Sequence, residues 1–165
     1  MTEAELNWLA KTAFQSRIIV EIGSYKGRSA RAMADNTDGI VICIDPFENG
    51  QYQPDDTFKQ WENPRSEFYN NMKDLLGNHK VFLIAEKWCR GIISIKPDFI
   101  FIDGDHRFES VVNDILLAQR YIRPGGIIAG HDYGDPYWKE VEPAVQFFYP
   151  EVDRVEGTSI WWKQC

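Results

Sequence analysis

No cluster of lysine and arginine stands out in this chain, which carries 18 basic against 25 acidic side chains and a formal net charge of -7. Nucleic-acid surfaces show a basic stripe or patch, so DNA or RNA is not an expected partner. Cysteine is scarce. Cys43, Cys89 and Cys165 lie far apart and match no zinc-binding spacing. So sparse and odd a set points to a reducing compartment, with Cys43 a buried thiol inside an apolar run. No stretch approaches the length of a membrane span. Met1 to Phe14 mixes Glu3, Glu5 and Lys11 with apolar residues and lacks the apolar core of a secretory leader. The expectation is a cytoplasmic protein with no membrane partner. Repeats and low-complexity segments are missing too, which leaves one domain over residues 1–165.

What is present fits an ordinary globular enzyme: 44% hydrophobic and 26% charged residues, in a chain long enough to bury a core without staples. Leu6, Leu9, Ala10 and Ala13 recur at helical spacing and predict an amino-terminal helix within residues 1–15 that packs on the domain. Short β-branched runs follow at 17–22, 40–44, 80–85, 98–102 and 127–130, read as buried strands. Helical segments are expected at 29–35, 66–76, 108–121 and 138–148, and a closing strand pair within 152–162. Residues 48–65 are polar and aromatic, with Gly50, Pro54 and Pro64, and read as a lid or insertion carrying Tyr52, Phe58 and Trp61. Strands alternating with helices give right-handed crossovers and an α/β, doubly wound, Rossmann-like sheet, mostly parallel, with an antiparallel closing pair. Ligands of such sheets bind outside the carboxyl ends of the strands.

The strand ends therefore carry the functional reading. The first leads into Glu21-Ile22-Gly23-Ser24-Tyr25-Lys26-Gly27-Arg28-Ser29. Gly23 suits a positive φ, and Gly27 suits a close backbone approach at a helix start, where free N–H groups attract a carboxylate or phosphate. A plain strand-to-helix turn would look much the same. The dinucleotide fingerprint needs glycines at its first, third and sixth positions; counted from Gly23, those positions hold Tyr25 and Arg28, which argues against NAD. Asp45 ends the second strand, where an acid accepts both ribose hydroxyls of a nucleoside cofactor or simply serves its own turn. The fourth and fifth strands end in Asp103-Gly104-Asp105-His106 and His131-Asp132. Charges crowded at one rim cost desolvation and repulsion, so such a cluster speaks for function over stability.

These motifs resemble those of class I S-adenosylmethionine-dependent methyltransferases, through Glu21 to Ser29, Val41 to Asp45, Pro97 to His106 and Pro124 to Tyr133. The resemblance covers about residues 17 to 133. Ile102 to His106 and Gly130 to Tyr133 further resemble the macrocin O-methyltransferase branch, whose better-known members methylate sugar hydroxyls with a divalent metal. Glu21 to Ser29 is also similar to the matching motif of catechol O-methyltransferase.

The resemblance implies S-adenosylmethionine as cofactor, with Gly23, Ser24 and Tyr25 along its methionine part, Glu21 near its amino group and Gly27 among the cofactor-binding residues. It implies Ser29 at its carboxylate, Asp45 at the ribose, and Ala85 and Glu86 near the adenine. Asp103 borders the cofactor and, with His131 and Asp132, takes the positions of metal ligands; Asp105 takes that of the branch's proposed base. Related sites offer oxygen at all three metal positions, whereas His131 offers nitrogen. Magnesium prefers oxygen, while imidazole suits manganese, iron or zinc. His131 either ligates a divalent metal (Mg or Mn) or donates a hydrogen bond in its place.

The expected reaction is O-methylation of a small-molecule acceptor, with Asp105 or His106 taking the proton. His106 is equally readable as a carboxylate's partner, and Tyr133, Tyr137 and Trp138 as a substrate platform or as packing. Two other readings stay open. One is a metal-dependent oxidoreductase or hydroxylase, in which Asp103, His106 and His131 supply the residue types of an iron site. The other is a non-catalytic cofactor-binding module. A homo-oligomer is compatible with all three.

Overall fold

The structure, a computed structural model, describes residues 1–47 and 63–165. Seven strands form one sheet: β1 (Ile18–Ile22), β2 (Ile40–Ile44), β3 (Val81–Ile84), β4 (Phe99–Ile102), β5 (Ile127–Gly130), β6 (Asp153–Arg154) and β7 (Trp161–Gln164). Their order is β3-β2-β1-β4-β5-β7-β6. β1 to β5 run parallel, and β7 pairs antiparallel with both β5 and β6. This is the single α/β domain with a closing pair that the pattern of apolar runs predicts. The chain winds outward from β1 in one direction and from β4 in the other, so their neighbouring ends form the switch point where such sheets bind ligands.

Side-chain alternation distributes the core. On β4, Phe99 and Phe101 face one side of the sheet while Ile100 and Ile102 face the other. The phenylalanines pack among Leu9 and Ala13 of α1 (Glu3–Phe14), Met33 of α2 (Arg28–Ala34), and Phe68 and Met72 of α3 (Pro64–Gly77). The isoleucines meet Val111 and Ile115 of α4 (Phe108–Tyr121) and Val145 of α5 (Val141–Phe148). Each such fully buried side chain contributes roughly 1.5–3 kcal/mol. At the amino edge Asp98 receives the N–H groups of Arg17 and Ile18 at 2.8 and 2.7 Å and pairs with Arg123, which pins β1 against β4.

Several boundaries differ from the sequence expectation, and the closing pair runs on to Gln164, past residue 162. Helix α3 begins at Pro64, so residues 64 and 65 are helical and not part of an insertion. Proline suits the first helical position because the N–H it lacks would have no partner there, and Asn63 caps the helix by accepting the N–H of Ser66. Helix α5 starts at Val141, leaving Trp138 in the preceding turn. Tyr52, Phe58 and Trp61 lie outside the described residues. Among the described residues no helix is long and apolar enough to cross a membrane.

Candidate active site

At the carboxyl end of β1 the chain turns across the end of β4. Gly23 has φ +84, and a Cβ there would sit 2.2 Å from the carbonyl oxygen of Asp103, so any side chain at this turn would displace β4. Gly27, at φ +86, is the left-handed N-cap of α2 and offers no side-chain cap of its own. Between them, Gly27 donates its N–H to the carbonyl of Ser24 at 2.7 Å. Tyr25, at φ 44, takes a conformation costly for a side chain other than glycine. Ser29 is buried in the first turn of α2.

Glu21 lies in the middle of this arrangement and is fully buried. Among the described residues no well-formed hydrogen bond reaches either carboxylate oxygen or the Ser24 hydroxyl, although the Ser24 and Ser29 hydroxyls lie near enough to stabilise its charge. Burial pushes Glu21 up to about 7; the nearby Ser24 and Ser29 hydroxyls oppose the shift and Asp45 adds to it. A buried acid and hydroxyl without partners cost free energy unless a ligand supplies them.

Asp45 does more within the chain than the sequence implies. Its two oxygens accept the N–H groups of Tyr25 and Phe47, each at 2.6 Å, tying the β1 turn to the end of β2. Burial raises its proton affinity, and those two N–H groups oppose the rise. A carboxylate offers about four acceptor positions, so two remain for a ligand. Ala85 and Glu86 follow β3 at the same rim, half-buried and exposed respectively. Beyond them, Trp88 is buried with its indole N–H unpartnered among the described residues; a tryptophan in a loop carries no sequence signal for that.

The ends of β4 and β5 bring Asp103, His131 and Asp132 together, with one donor atom of each within 4.8 Å of the others. His131 Nδ1 lies 2.9 Å from Asp132 Oδ1 and 3.6 Å from Asp103 Oδ1. Its Nε2 is 3.1 Å from Glu5 Oε1, an ion-pair approach too bent for a good hydrogen bond. Burial lowers the proton affinity of His131, but its bond to Asp132 and the charges of Asp103, Asp132 and Glu5 outweigh it and raise the pKa to about 9. Asp132 moves the other way: despite burial, bonds from His106 and His131 hold it well below the usual carboxylate range. Burial pushes Asp103 well above that range, with His131 opposing and Asp132 and Glu21 adding. Asp132 also sits at φ 61, a left-handed backbone.

Two oxygens and one nitrogen at this spacing suit a divalent ion, and the nitrogen favours manganese over magnesium. Metal-bound imidazoles turn their second nitrogen toward a carboxylate, the relation His131 has to Glu5. The residues present therefore fit a metal.

The two base candidates separate. Asp105 is occupied: Arg107 and Ser110 donate to its carboxylate, Ser110 Oγ at 3.0 Å, and despite burial those donors hold its pKa below the ordinary value. It braces the loop into α4, and those donors compete with any proton it would accept. His106 Nε2 is 2.7 Å from Asp132 Oδ2, and its ring stacks on Trp138 at 4.0 Å between centroids. The carboxylate and the indole hold the imidazole from two sides. His106 is not in the group of residues that converges for an ion, so the iron-site reading built on Asp103, His106 and His131 has no geometric support. The aromatic platform divides as well. Tyr133 is buried and accepts from Gln146, Tyr137 is exposed, and only Trp138 faces the cluster, through His106. Ile102, Val111, Val141 and Trp161 line a small apolar cleft with Asp103, His106 and His131.

Glu5 is the participant the sequence hides. Thr2-x-x-Glu5 reads as a capping box and forms one, which fully explains the residue until its other oxygen is seen beside His131.

A family model for a methyltransferase domain matches residues 20–133. The chain is similar to an uncharacterized protein of Acanthamoeba polyphaga mimivirus, 33% identical over 136 residues, which cover 81% of this chain and 59% of that protein. It thus spans less than two thirds of that relative. Among solved structures it is similar to an O-methyltransferase from Bacillus cereus in complex with SAH, at TM-score 0.67 and 16% identity over 98% of this chain and 81% of that one. It is also similar to the N-methyltransferase NodS from Bradyrhizobium japonicum, at TM-score 0.67 and 12% identity over 97% and 93%. At these identities the solved structures speak for the fold alone.

Proposed function

We propose that this chain, which belongs to the methyltransferase-domain family, transfers a methyl group from S-adenosylmethionine to a hydroxyl of a small molecule, with a divalent ion assisting. The observation that carries the reading is a juxtaposition at the switch point. Buried Glu21 and Ser24 flank the Gly23 turn, and that turn lies against Asp103 of the Asp103–His131–Asp132–His106 cluster. One half suits a cationic, amino-acid-bearing cofactor and the other suits an acceptor that must lose a proton.

S-adenosylmethionine supplies a methyl group on a sulfonium, ready for in-line displacement. Glu21 and Ser24 would hold its amino-acid end, Ser29 its carboxylate at the start of α2, and Asp45 its ribose through the two acceptor positions left over. Gly23 keeps the floor between cofactor and acceptor flat, since a Cβ there meets Asp103. Asp103, His131 and Asp132 would hold the ion, which lowers the pKa of a bound hydroxyl. His106, oriented by Asp132, takes the acceptor's proton. The apolar lining from Ile102, Val111, Val141 and Trp161 excludes water, which favours a step in which charge is neutralised.

Calorimetric titration with S-adenosylmethionine and S-adenosylhomocysteine, with and without Mg2+ or Mn2+, tests the assignment. Micromolar binding, weakened in Asp45→Ala, is expected; no binding under any condition would remove the reading. An N-methyltransferase shares the fold at the same TM-score, so identifying the methylated atom by mass spectrometry and NMR of the product decides between oxygen and nitrogen.

A further inference from the structure

Helix α1 sends a charged side chain into the rim, and neither cofactor binding nor proton removal uses it. Glu5 is buried. Its Oε2 accepts the N–H of Thr2 at 2.6 Å and closes the capping box. Capping requires only that oxygen, and glutamine serves the same box. Oε1 turns the other way. It accepts the N–H and the hydroxyl of Ser159, each at 3.2 Å, and lies 3.1 Å from His131 Nε2.

Ser159 passes the contact on. Its hydroxyl accepts the N–H of Asp132 at 3.3 Å, and its carbonyl accepts the N–H of Tyr133 at 3.0 Å. These two bonds flank Asp132 in its left-handed conformation. One carboxylate therefore stands behind two residues of the converging group: behind His131 directly, and behind Asp132 through Ser159.

We infer that Glu5 is a positioning residue for the divalent ion, an inference that rests on the metal reading proposed above. With an ion at Nδ1 the imidazole would be neutral, and its remaining proton would sit on Nε2, beside the Glu5 carboxylate at 3.1 Å. The ring is already turned so that Nδ1 faces Asp103 and Asp132. Helix α1 thereby becomes part of the ion site, and its docking and ion affinity are coupled.

The test titrates Mn2+ alone into the full chain, reading the free ion by electron paramagnetic resonance, for the unaltered protein, Glu5→Gln and Ser159→Ala. Removing such an outer carboxylate typically weakens metal binding about 10- to 100-fold, and that loss is expected for Glu5→Gln. Its S-adenosylhomocysteine affinity should stay within about twofold, because Glu21, Ser24 and Asp45 are untouched; a general structural defect would lower both. Ser159→Ala keeps the charge and should show a smaller loss of Mn2+ affinity, and it decides the matter if Glu5→Gln does not fold. Equal Mn2+ affinity in the folded variants overturns the inference and leaves the metal reading standing. Failure of the unaltered protein to bind Mn2+ removes both.

Discussion

Replacing Glu21 by glutamine tests the cofactor half of the site without any methyl acceptor. The carboxylate is moved from its ordinary 4.5 to about 7, with burial as the largest cause. In the unfolded chain it titrates near the ordinary value, so between those two points the folded chain holds the proton more tightly. Its contribution to stability is thus fully present below about pH 4.5, declines as pH rises, and is lost above about 7. At about 1.4 kcal/mol for each tenfold change in proton affinity, the loss is about 3 kcal/mol. Glutamine cannot ionise; it carries a constant cost for an unpartnered buried amide. Urea denaturation of both proteins at about pH 4, 6 and 8 isolates the difference, because every other titrating group cancels. The variant should gain about 3 kcal/mol relative to the parent across that interval. Ligand binding supplies a second readout. A cationic amino group beside Glu21 favours the ionised acid, so S-adenosylhomocysteine should displace a proton near neutral pH from the parent and none from the variant. That appears as a heat that depends on the ionisation enthalpy of the buffer. A stability difference flat with pH would refute the account of a buried, unpartnered acid.

The other predictions concern the turn, the base and a second buried acid. Gly23→Ala must relieve a 2.2 Å approach to the Asp103 carbonyl at φ +84; it should destabilise by about 2 kcal/mol or more in urea denaturation, and an unchanged midpoint would contradict the geometry. His106→Ala should lower kcat by about 10²- to 10⁴-fold with cofactor affinity retained, whereas Asp105→Asn should act mainly on stability. Full activity in a folded His106→Ala protein would remove His106 as base. Asp114, buried on α4, is raised from 3.8 to about 7, by burial first and then by Asp105, with Asn113 opposing. Its stabilising contribution is present below about pH 4 and lost as pH rises through 7. Asp114→Asn should therefore flatten the decline in melting temperature over that range, and an unaltered slope would count against a raised pKa there.

Much of the fold was legible because its signals are local and repeated. Runs such as Ile40-Val41-Ile42-Cys43-Ile44 are too short for helices and too apolar for exposed strands, and their alternation with helical segments dictates a parallel sheet. That sheet then brings the ends of β4 and β5 side by side, which is why Asp103 to His106 and His131-Asp132 could be read as one rim cluster, while the trio Asp103, His131 and Asp132 was singled out by the resemblance. Pro64 misled because proline ends some helices and begins others, and the composition beside it resembles a loop. Asp105 was read without its partners. Its capture by Arg107 and Ser110 depends on side-chain directions that no spacing rule encodes. Glu5 was fully explained by its own helix, so nothing prompted a search for a distant histidine. Asp45 held two readings in the sequence, turn and ligand; the turn bonds exist, and they leave acceptor positions free.

The left-handed backbone at Tyr25, Phe47 and Asp132 has a consequence for how this protein can change. Glycine or asparagine relaxes such positions, so each is an apparent opportunity to gain about 1 kcal/mol of stability by a single substitution. Tyr25 stands in the turn beside Glu21, Phe47 gives its N–H to Asp45 and packs on Phe68, and Asp132 holds His106 and His131. Variants selected for heat resistance alone should drift toward glycine or asparagine there and lose the rim. Variants selected for turnover should keep the strained residues and gain robustness elsewhere, on the outer faces of the helices.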